Sequence, residues 1–301
     1  MHEVAAGTGA GPLNRCVACG AARDARACAA CGHAPVVLDG FDCYAPALAR
    51  GGAGYDAVHY ATLAQLEASN FWFRARNQII VDALRRHLPG FGSFLEIGCG
   101  TGFVLSGIRA AFPAADLTGT EVFTEGLAHA APRLPGVRLV QMDARDIPAA
   151  GSFDAIGAFD VVEHIEDDRQ VLAEAHRALA PGGLLMLTVP QHAWLWSEQD
   201  EIAHHVRRYS RADLLEKTRT AGFEIVQASS FVTLLLPLMM LSRLRKLDPG
   251  AASDPYREMR IAPWMNRLLF LGMQVDRAAL RLRLPLPMGG SLLLVARKPR
   301  Q

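Results

Sequence analysis

The sequence predicts a doubly wound α/β fold, in which helices cover both faces of a mostly parallel sheet. From residue 93 onward, short apolar runs alternate with helical segments, which is the pattern that βαβ units produce. A glycine-rich turn joins the first of these runs to the helix after it. The chain is 50% hydrophobic and 20% charged with a net charge of +1, which excludes a disordered chain and a chain uniformly coated with basic charge.

The apolar runs define the strands that we predict for the sheet. They are short and bounded by turn residues, which is typical of strands buried on both faces. The predicted strands are 94–97, 116–122, 137–142, 153–159, 184–189, 223–228 and 291–296. The predicted helices between them are 102–111, 124–134, 168–179, which a turn at 180–183 ends, and 211–221.

Two helices are predicted ahead of the sheet. Residues 55–88 place apolar side chains at three-and-four spacing, and Pro89-Gly90 ends the pattern. The aromatic triplet Phe71-Trp72-Phe73 lies at the junction of the two helices. We interpret it as packing rather than ligand contact, although such helices also cover sites in some proteins. The Gly- and Ala-rich stretch 45–54 is interpreted as a linker.

Four of the six cysteines form two Cys-x-x-Cys pairs, each followed by glycine: Cys16 with Cys19, and Cys28 with Cys31. Two intervening residues let the chain turn back and direct both sulfurs at one point, so the pairs predict a closed, structural Zn²⁺ site. The alternatives are a redox pair or unliganded thiols, and His33 is a weaker candidate for one of the ligands.

These features divide the chain into four predicted parts. Residues 1–45 form a zinc-ribbon-like segment, 46–90 a helical cap, 91–230 with 288–301 the core, and 231–287 a helical insertion. No signal-peptide pattern is visible at the N-terminus, so we expect a cytoplasmic protein.

The insertion is apolar and basic. Its run 231–241 has eleven residues, ten of them apolar, whereas a helix that spans a membrane needs about twenty. From Arg243 to Arg300 there are 12 Lys and Arg against 4 Asp and Glu. This combination predicts peripheral contact with an anionic membrane, which would place the protein at the inner membrane face. The alternative is a buried helix that covers the sheet edge.

The glycine turn is the run Gly98-Cys-Gly100-Thr-Gly102, between the first predicted strand and the next helix. Glycine permits unusual dihedral angles and lets a ligand lie against bare backbone, and the helix start adds free N–H donors. The turn therefore predicts a nucleoside-type ligand. Dinucleotide enzymes have the pattern G-x-G-x-x-G, but Phe103 stands at the third glycine position here, which disfavours a nicotinamide cofactor.

Acidic residues lie at the ends of the first four predicted strands. Glu96 precedes the glycine turn, Glu121 ends the second strand, and Asp143 and Asp160 follow the third and fourth. Because the carboxyl ends of parallel strands line one crevice, we expect these side chains to converge. Glu121 is placed to accept hydrogen bonds from both hydroxyls of a ribose and Asp143 from an adenine amine, with Asp160 near the ligand's charged end.

Six segments follow one another in a characteristic order: 96–102 (EIGCGTG), 119–121 (GTE), 142–144 (MDA), 153–154 (FD), 160–164 (DVVEH) and 179–183 (LAPGG). This ordered set resembles the class I S-adenosylmethionine-dependent methyltransferases, especially the small-molecule group that includes the ubiquinone and menaquinone biosynthesis enzymes. The resemblance implies a Rossmann-like sheet with 291–296 as an antiparallel strand, and S-adenosylmethionine as the methyl donor. The donor-binding residues it implies are Glu96, Gly98, Gly100, Gly102, Glu121, Asp143, Ala144 and Asp160.

Candidates for catalysis lie near the predicted acceptor. The resemblance places His164 near the transferred methyl group. After the fifth strand, the cluster 204–209 (HHVRRY) adds His205 and Tyr209, and we expect residues 191–209 to form the wall of the acceptor pocket. The acceptor is expected to be a small or lipid-linked molecule of quinone, sugar or polyprenyl type, and oxygen, nitrogen and carbon all stay open as the methylated atom.

Two other functions stay open at this point. A ribosomal RNA methyltransferase would use the zinc ribbon and the basic tail against phosphates. It is disfavoured because the ribbon has no aromatic pair to stack on bases and the core lacks the Asn/Asp-Pro-Pro-aromatic tetrapeptide of nucleic-acid amino methylation. The other function is a non-catalytic scaffold that binds S-adenosylmethionine.

Overall fold

The computed structural model describes residues 11–50, 58–244 and 259–300. Within them the chain forms a sheet of nine strands flanked by helices. The strands are β1 Val36–Leu38, β2 Phe41–Cys43, β3 Ser93–Ile97, β4 Asp116–Glu121, β5 Arg138–Gln141, β6 Phe153–Phe159, β7 Leu179–Pro190, β8 Glu224–Phe231 and β9 Ser291–Arg297. The α-helices are α1 Val58–Leu66, α2 Phe71–His87, α3 Phe103–Ala111, α4 Thr124–Arg133, α5 Asp168–Ala178, α6 Glu198–Ile202, α7 Arg211–Thr220, α8 Leu236–Leu244 and α9 Pro263–Arg281.

The strand order is β1-β2-β5-β4-β3-β6-β7-β9-β8. Strands β5, β4, β3, β6 and β7 run parallel, and β9 lies antiparallel between β7 and β8. This topology confirms the doubly wound fold with an antiparallel closing strand. It also brings the carboxyl ends of β3 to β6 to one edge of the sheet.

Both faces of the sheet are buried. On β3, Phe94 packs into the core beneath α2 and α3, while the next residue, Leu95, packs into the core beneath α5 and α7. On β9, Leu293 and Leu294 alternate in the same way. Because both faces are covered by apolar side chains, polar chemistry is confined to the ends of the strands.

The first two strands were not predicted. β2 pairs parallel with β5 through Asp42↔Val140 and Cys43↔Gln141, and β1 pairs antiparallel with β2. Each strand has three residues, too few to show a periodic pattern. The cysteine-containing segment therefore extends the edge of the main sheet, and the domain boundary at residue 45 stays a prediction.

Two predicted strands have a boundary that differs from the structure by more than one residue. β7 begins at Leu179 rather than at residue 184, because the sheet register shifts from Phe153↔Leu179 to Ala155↔Leu184 and the predicted turn loops out between these pairs. β8 continues to Phe231, so the first residue of the apolar run 231–241 belongs to a strand, and helix α8 begins at Leu236.

The described part of the insertion packs against the N-terminal helices. Arg277 of α9 forms an ion pair with Asp82 of α2 at 2.6 Å, and the Phe71 amide donates to Asn266 Oδ1 at 2.7 Å. None of the described helices is long and apolar enough to cross a membrane. Residues 51–57 and 245–258, which include parts of the predicted linker and insertion, lie outside the described residues.

Candidate functional site

A cavity of about 940 Å³ lies over the carboxyl ends of β3 to β6. The glycine turn and the segments that follow the strands form its floor, and side chains of α1 and α2 face them from the other side. This is the position at which doubly wound folds bind ligands. The predicted site residues that line it are Glu96, Gly98, Gly100, Glu121, Asp143, Ala144, Asp160, His164 and His205.

The three glycines of the turn have positive φ values: +65° at Gly98, +52° at Gly100 and +76° at Gly102. A Cβ atom on Gly98 would lie 2.6 Å from Val161, whereas the nearest atom to one on Gly100 would be 4.0 Å away, in Tyr60. Gly98 is therefore needed for close packing, and Gly100 presents open backbone to the cavity. Gly102 does not line the cavity but caps the start of α3.

Glu121 ends β4 beside the glycine turn and is 9% exposed. Its Oε2 accepts a hydrogen bond from the Gly100 amide at 3.0 Å, and its Oε1 accepts one from the Val122 amide at 2.7 Å. Burial raises the pKa of Glu121, and these amides oppose the rise. The Phe123 amide and the Tyr60 side chain also donate to this carboxylate, which lines the cavity.

Asp143 and Ala144 follow β5, the strand next to β4, and line the same side of the cavity as Glu121. The side chain of Arg145 pairs with Asp143, with 2.7 Å between Nη2 and Oδ2. Burial alone would raise the pKa of Asp143, but the hydrogen bonds from Arg145 lower it. Asp143 is therefore an anionic hydrogen-bond acceptor at neutral pH.

A buried ion pair joins Arg76 of α2 to Asp160 at the end of β6. The Asp160 carboxylate also accepts from Thr188 Oγ1 at 3.1 Å, which helps to hold Asp160 at a φ of +57°. The Arg76 guanidinium lies 4.4 Å from the centre of the Trp72 ring. Burial lowers the pKa of Arg76 to about 10, and the nearby carboxylate of Glu96 opposes this shift.

Glu96, on β3, is the most enclosed of the predicted donor-binding acids, with 2% of its surface exposed. Burial raises its pKa well above the usual range, and the positive charge of Arg76 opposes the rise. Among the described residues, nothing forms a hydrogen bond with its Oε2. A buried oxygen of this kind is available to a bound ligand.

His164 and His205 face each other at the other end of the cavity. Their ring centroids are 4.7 Å apart and their planes are inclined by 79°. The His205 Nδ1 atom is 2.8 Å from Asp200 Oδ1, which also accepts from Arg208 Nε at 2.7 Å. Burial, with the neighbouring His205, lowers the pKa of His164 to about 3, so this ring is neutral at physiological pH.

Tyr209, the third candidate for catalysis, does not line the cavity. It is 1% exposed, and its hydroxyl donates to Asp168 Oδ2 at 2.6 Å. Burial, reinforced by Asp168, raises its pKa. The structure therefore brings two of the three candidates together and places Tyr209 in the core, where it fixes the segment after β7.

The walls of the cavity differ from the expectation in two respects. Of the predicted wall 191–209, only residues 203–206 line the cavity, while Trp194 is 52% exposed at the surface. On the opposite side, Trp72 and Phe73 line the cavity, whereas the sequence pattern favoured a packing role for them. The signal in the sequence for a cavity position was their place at the start of α2, the helix that lies over the strand ends in the structure.

The four paired cysteines form a compact group at the N-terminal edge of the sheet. Their sulfurs all lie within 4.8 Å of one another, with 3.7 Å between Cys16 and Cys31 and 3.7 Å between Cys19 and Cys28. None of the four forms a disulfide bond. The glycine after each pair donates its amide back to the first cysteine of the pair at 2.8 Å, which closes a tight turn around the sulfurs.

Comparison with known proteins identifies the family. Residues 65–228 match a family model described as a methyltransferase domain. The chain belongs to this methyltransferase family. A probable S-adenosylmethionine-dependent methyltransferase of Mycolicibacterium smegmatis is 30% identical over 228 residues, which make up 73% of this chain and 82% of that protein. The methyltransferase is therefore a class I enzyme that uses S-adenosylmethionine as its donor, as the resemblance implied.

Two further relatives are more distant. A ubiquinone/menaquinone biosynthesis C-methyltransferase of Desulfotalea psychrophila is 32% identical over 98 residues, 32% of this chain and 40% of that protein. The structure of phosphoethanolamine N-methyltransferase 2 of Haemonchus contortus, solved with S-adenosyl-L-methionine, aligns with a TM-score of 0.55 and 20% identity over 81% of this chain and 58% of that one. The structural likeness supports the fold alone.

Replacing Arg76 with Leu is expected to lower the free energy of unfolding of the methyltransferase by about 1 to 3 kcal/mol, because the half-buried Asp160 carboxylate would lose its charged partner. Loss of the positive charge would also raise the pKa of Glu96 further. Because the pKa of Glu96 is higher in the folded variant than in the unfolded chain, the folded state binds a proton at a higher pH. The loss of stability should therefore shrink as the pH falls from 7 to 5.

Urea unfolding of wild type and Arg76→Leu at both pH values measures this effect. Arg85→Leu, an exposed position on the same helix, is the control and should change stability little. An Arg76→Leu loss that is equal at the two pH values would contradict the electrostatic role.

Proposed function

We propose that the methyltransferase carries the methyl group of S-adenosylmethionine to a small-molecule acceptor bound between α2 and residues 203–206. One observation carries the proposal: a single cavity joins the glycine turn and Glu121 at one end to His164 and His205 at the other. Methyl transfer from a sulfonium is an in-line displacement, in which the protein aligns donor and acceptor and excludes water. A continuous cavity between two sets of polar groups suits that task.

The nucleoside part of the donor is assigned to the β4 and β5 side. In this assignment Glu121 accepts hydrogen bonds from both ribose hydroxyls, and Asp143 accepts one from the adenine amine beside Ala144. The position of the Glu121 carboxylate in the cavity wall and the open side of Gly100 support this placement.

The charged end of the donor is assigned to the β3 and β6 side. Its ammonium and sulfonium groups are positive, and Glu96 and Asp160 supply negative charge at this end of the cavity. The unpartnered Oε2 of Glu96 is available to the ammonium group. The amides after Gly102, at the start of α3, favour the donor's carboxylate.

The acceptor end combines aromatic and imidazole side chains. Trp72 and Phe73 form an apolar wall opposite His164 and His205. Flat aromatic faces favour a ring-shaped acceptor, of quinone or sugar type, and the quinone class agrees with the name of the Desulfotalea relative, a ubiquinone/menaquinone biosynthesis enzyme. Tyr209 is assigned a supporting role through Asp168, which orients the segment that carries His205.

Glu121→Ala is expected to weaken S-adenosylmethionine binding by about 2 to 3 kcal/mol, roughly 30- to 150-fold in Kd, because two hydrogen bonds to a charged acceptor are lost. Gly100→Val should abolish binding, since its side chain would enter the cavity at a φ of +52°. Calorimetry measures both, with exposed Glu125→Ala as the matched control. Unchanged affinity in Glu121→Ala and Gly100→Val would overturn the donor assignment.

We also propose that Cys16, Cys19, Cys28 and Cys31 hold one structural Zn²⁺. Four sulfurs bound at about 2.3 Å in a tetrahedron lie about 3.8 Å apart. The two 3.7 Å separations fit that edge length, and the other sulfur pairs lie within 4.8 Å. The ion would fold the segment that carries β1 and β2 against β5.

Cys19→Ser with Cys31→Ser is expected to lower bound zinc by one equivalent per chain, because a four-thiolate site loses half of its ligands. Metal analysis after gel filtration measures the difference. Cys43→Ser is the control, since Cys43 is buried outside the group. Equal zinc in the double variant and wild type would rule the assignment out.

The outer face of α9 supports a lipid-linked acceptor. Its apolar side chains recur at helical spacing and are each more than half exposed; they are Trp264, Leu268, Leu271, Val275 and Leu282. The opposite face packs on α2 through residues such as Met273. We call the exposed side chains the α9 stripe. A stripe of this size on the surface is typical of a contact with a partner or a membrane.

The charge around the stripe favours an anionic membrane. From residue 259 to the end, the sequence has eight Lys and Arg and one acid, Asp276, which is buried. Arginines 267, 281 and 283 are exposed beside the stripe. An apolar face rimmed by positive charge suits shallow insertion into anionic lipid, so we place the enzyme in the cytoplasm at the inner membrane face.

Leu268→Glu with Leu271→Glu is expected to reduce binding to phosphatidylglycerol-containing vesicles by roughly tenfold or more, because charge replaces buried methylenes. Cosedimentation measures binding, with phosphatidylcholine vesicles as the lipid control and Val226→Glu as an exposed apolar control elsewhere. Wild-type protein that binds no anionic vesicles would overturn the membrane proposal. If it then bound RNA through the same arginines, the RNA alternative would replace it.

A further inference from the structure

We infer that Glu163, His164 and His205 form a divalent metal site at the acceptor end of the cavity. Their ligand atoms all lie within 4.8 Å of one another. Two imidazole nitrogens and one carboxylate are a donor set that suits first-row divalent ions such as Zn²⁺, Mn²⁺ and Fe²⁺. Because two ligands at about 2.1 Å from one ion lie at most about 4.2 Å apart, binding requires only small side-chain movements.

Glu163 is the observation that points to a cation. Its side chain is fully buried, and among the described residues nothing forms a hydrogen bond with either carboxylate oxygen. The nearby guanidinium groups are already engaged, Arg76 with Asp160 and Arg208 with Asp200. A buried carboxylate without a partner is costly, and a metal ion would satisfy both the charge and the lone pairs.

The two histidines are held as metal-binding histidines usually are. In such sites, one ring nitrogen binds the metal while the other donates to a carboxylate or a backbone carbonyl. His205 Nδ1 lies 2.8 Å from Asp200 Oδ1, which leaves its Nε2 for the ion. The ring of His164 has hydrogen bonds to the backbone of Ala203 and His204.

The backbone holds the three ligands in place before any ion binds. Glu163 and His164 belong to a short 3-10 helix, Val162–His164, directly after β6. The Val206 amide donates to the Glu163 carbonyl oxygen at 2.8 Å, which ties this helix to the segment that carries His205. Ligands on connected, hydrogen-bonded backbone keep the geometry that a metal site requires.

The position of the site assigns the acceptor class, and this step rests on the proposed function. His164 and His205 line the cavity, so the open coordination positions face the acceptor. A divalent ion lowers the pKa of a bound hydroxyl group and thereby favours its oxyanion. The acceptor would then be a phenol or enol: its oxygen forms the new C–O bond as the C–S bond of the donor breaks, the sulfur leaves as a neutral thioether, and the hydroxyl proton passes to water.

Mn²⁺ is the probe for the test, because it prefers nitrogen and oxygen ligands and so avoids the four-cysteine group. One equivalent of Zn²⁺ per chain is first added, which the four-cysteine group takes in preference because its thiolates are the softer ligands, and the protein is passed through a desalting column. Electron paramagnetic resonance then measures free Mn²⁺ in a titration. We expect wild type to bind one Mn²⁺, Glu163→Gln and His205→Ala to lose that binding, and Asp200→Asn to weaken it by roughly 10- to 100-fold.

His192→Ala is the matched control, because His192, like His205, follows β7 but does not belong to the proposed metal-binding group. It should bind Mn²⁺ like wild type. Calorimetry with S-adenosylmethionine on the same samples shows that each variant is folded and tests the donor site separately. If wild type binds the donor but no Mn²⁺, or if Glu163→Gln and His205→Ala bind Mn²⁺ normally, the metal site is overturned while the proposed methyl transfer stands. If Mn²⁺ binds and the donor does not, the proposed function fails and the metal site stands.

Discussion

The buried guanidinium of Arg76 is the interaction on which the cavity depends. It reaches from α2 to Asp160 at the end of β6 and so fixes the helical cap over the strand ends. The carboxylates of Glu96, Glu67 and Glu163 lie near enough to affect its pKa. A group of acids this enclosed would repel one another without a cation among them. The positive charge from the cap therefore makes an acid-lined donor site compatible with a folded protein.

A second charged group organises the acceptor end. Asp200, which is 1% exposed, accepts hydrogen bonds from Ser197 at the start of α6 as well as from His205 and Arg208. An ionised carboxylate is an acceptor at about four positions, so one acid can hold a whole turn of irregular chain. The cluster of basic residues after β7 is ordered by an acid that precedes it in the sequence.

The sequence was sufficient to predict the elements and site residues whose signal is local. The alternation of apolar runs and helices, the glycine turn and the acids after the strands each depend on a few neighbouring residues, and the structure brings these acids together at one sheet edge. Strand β1 was missed because three residues carry no periodicity. The sequence could not predict where the side chains of Arg76 and Tyr209 point. On an amphipathic segment, a polar side chain gives the same pattern whether it faces a cavity, the core or solvent. Only tertiary contacts distinguish these three environments.

The insertion contributes to the cavity that the core forms. Met259, just before α9, lines the cavity, and its carbonyl oxygen accepts from Asn70 Nδ2 at 2.9 Å. Helix α2 thus makes contacts on two of its faces. Trp72 and its neighbours face the cavity, while Asp82 binds α9 through the ion pair with Arg277. Because α2 is one continuous helix, the outer face of α9 lies a single helix away from the cavity. The insertion therefore contributes to the wall of the cavity and leaves the outer face of α9 exposed beside it.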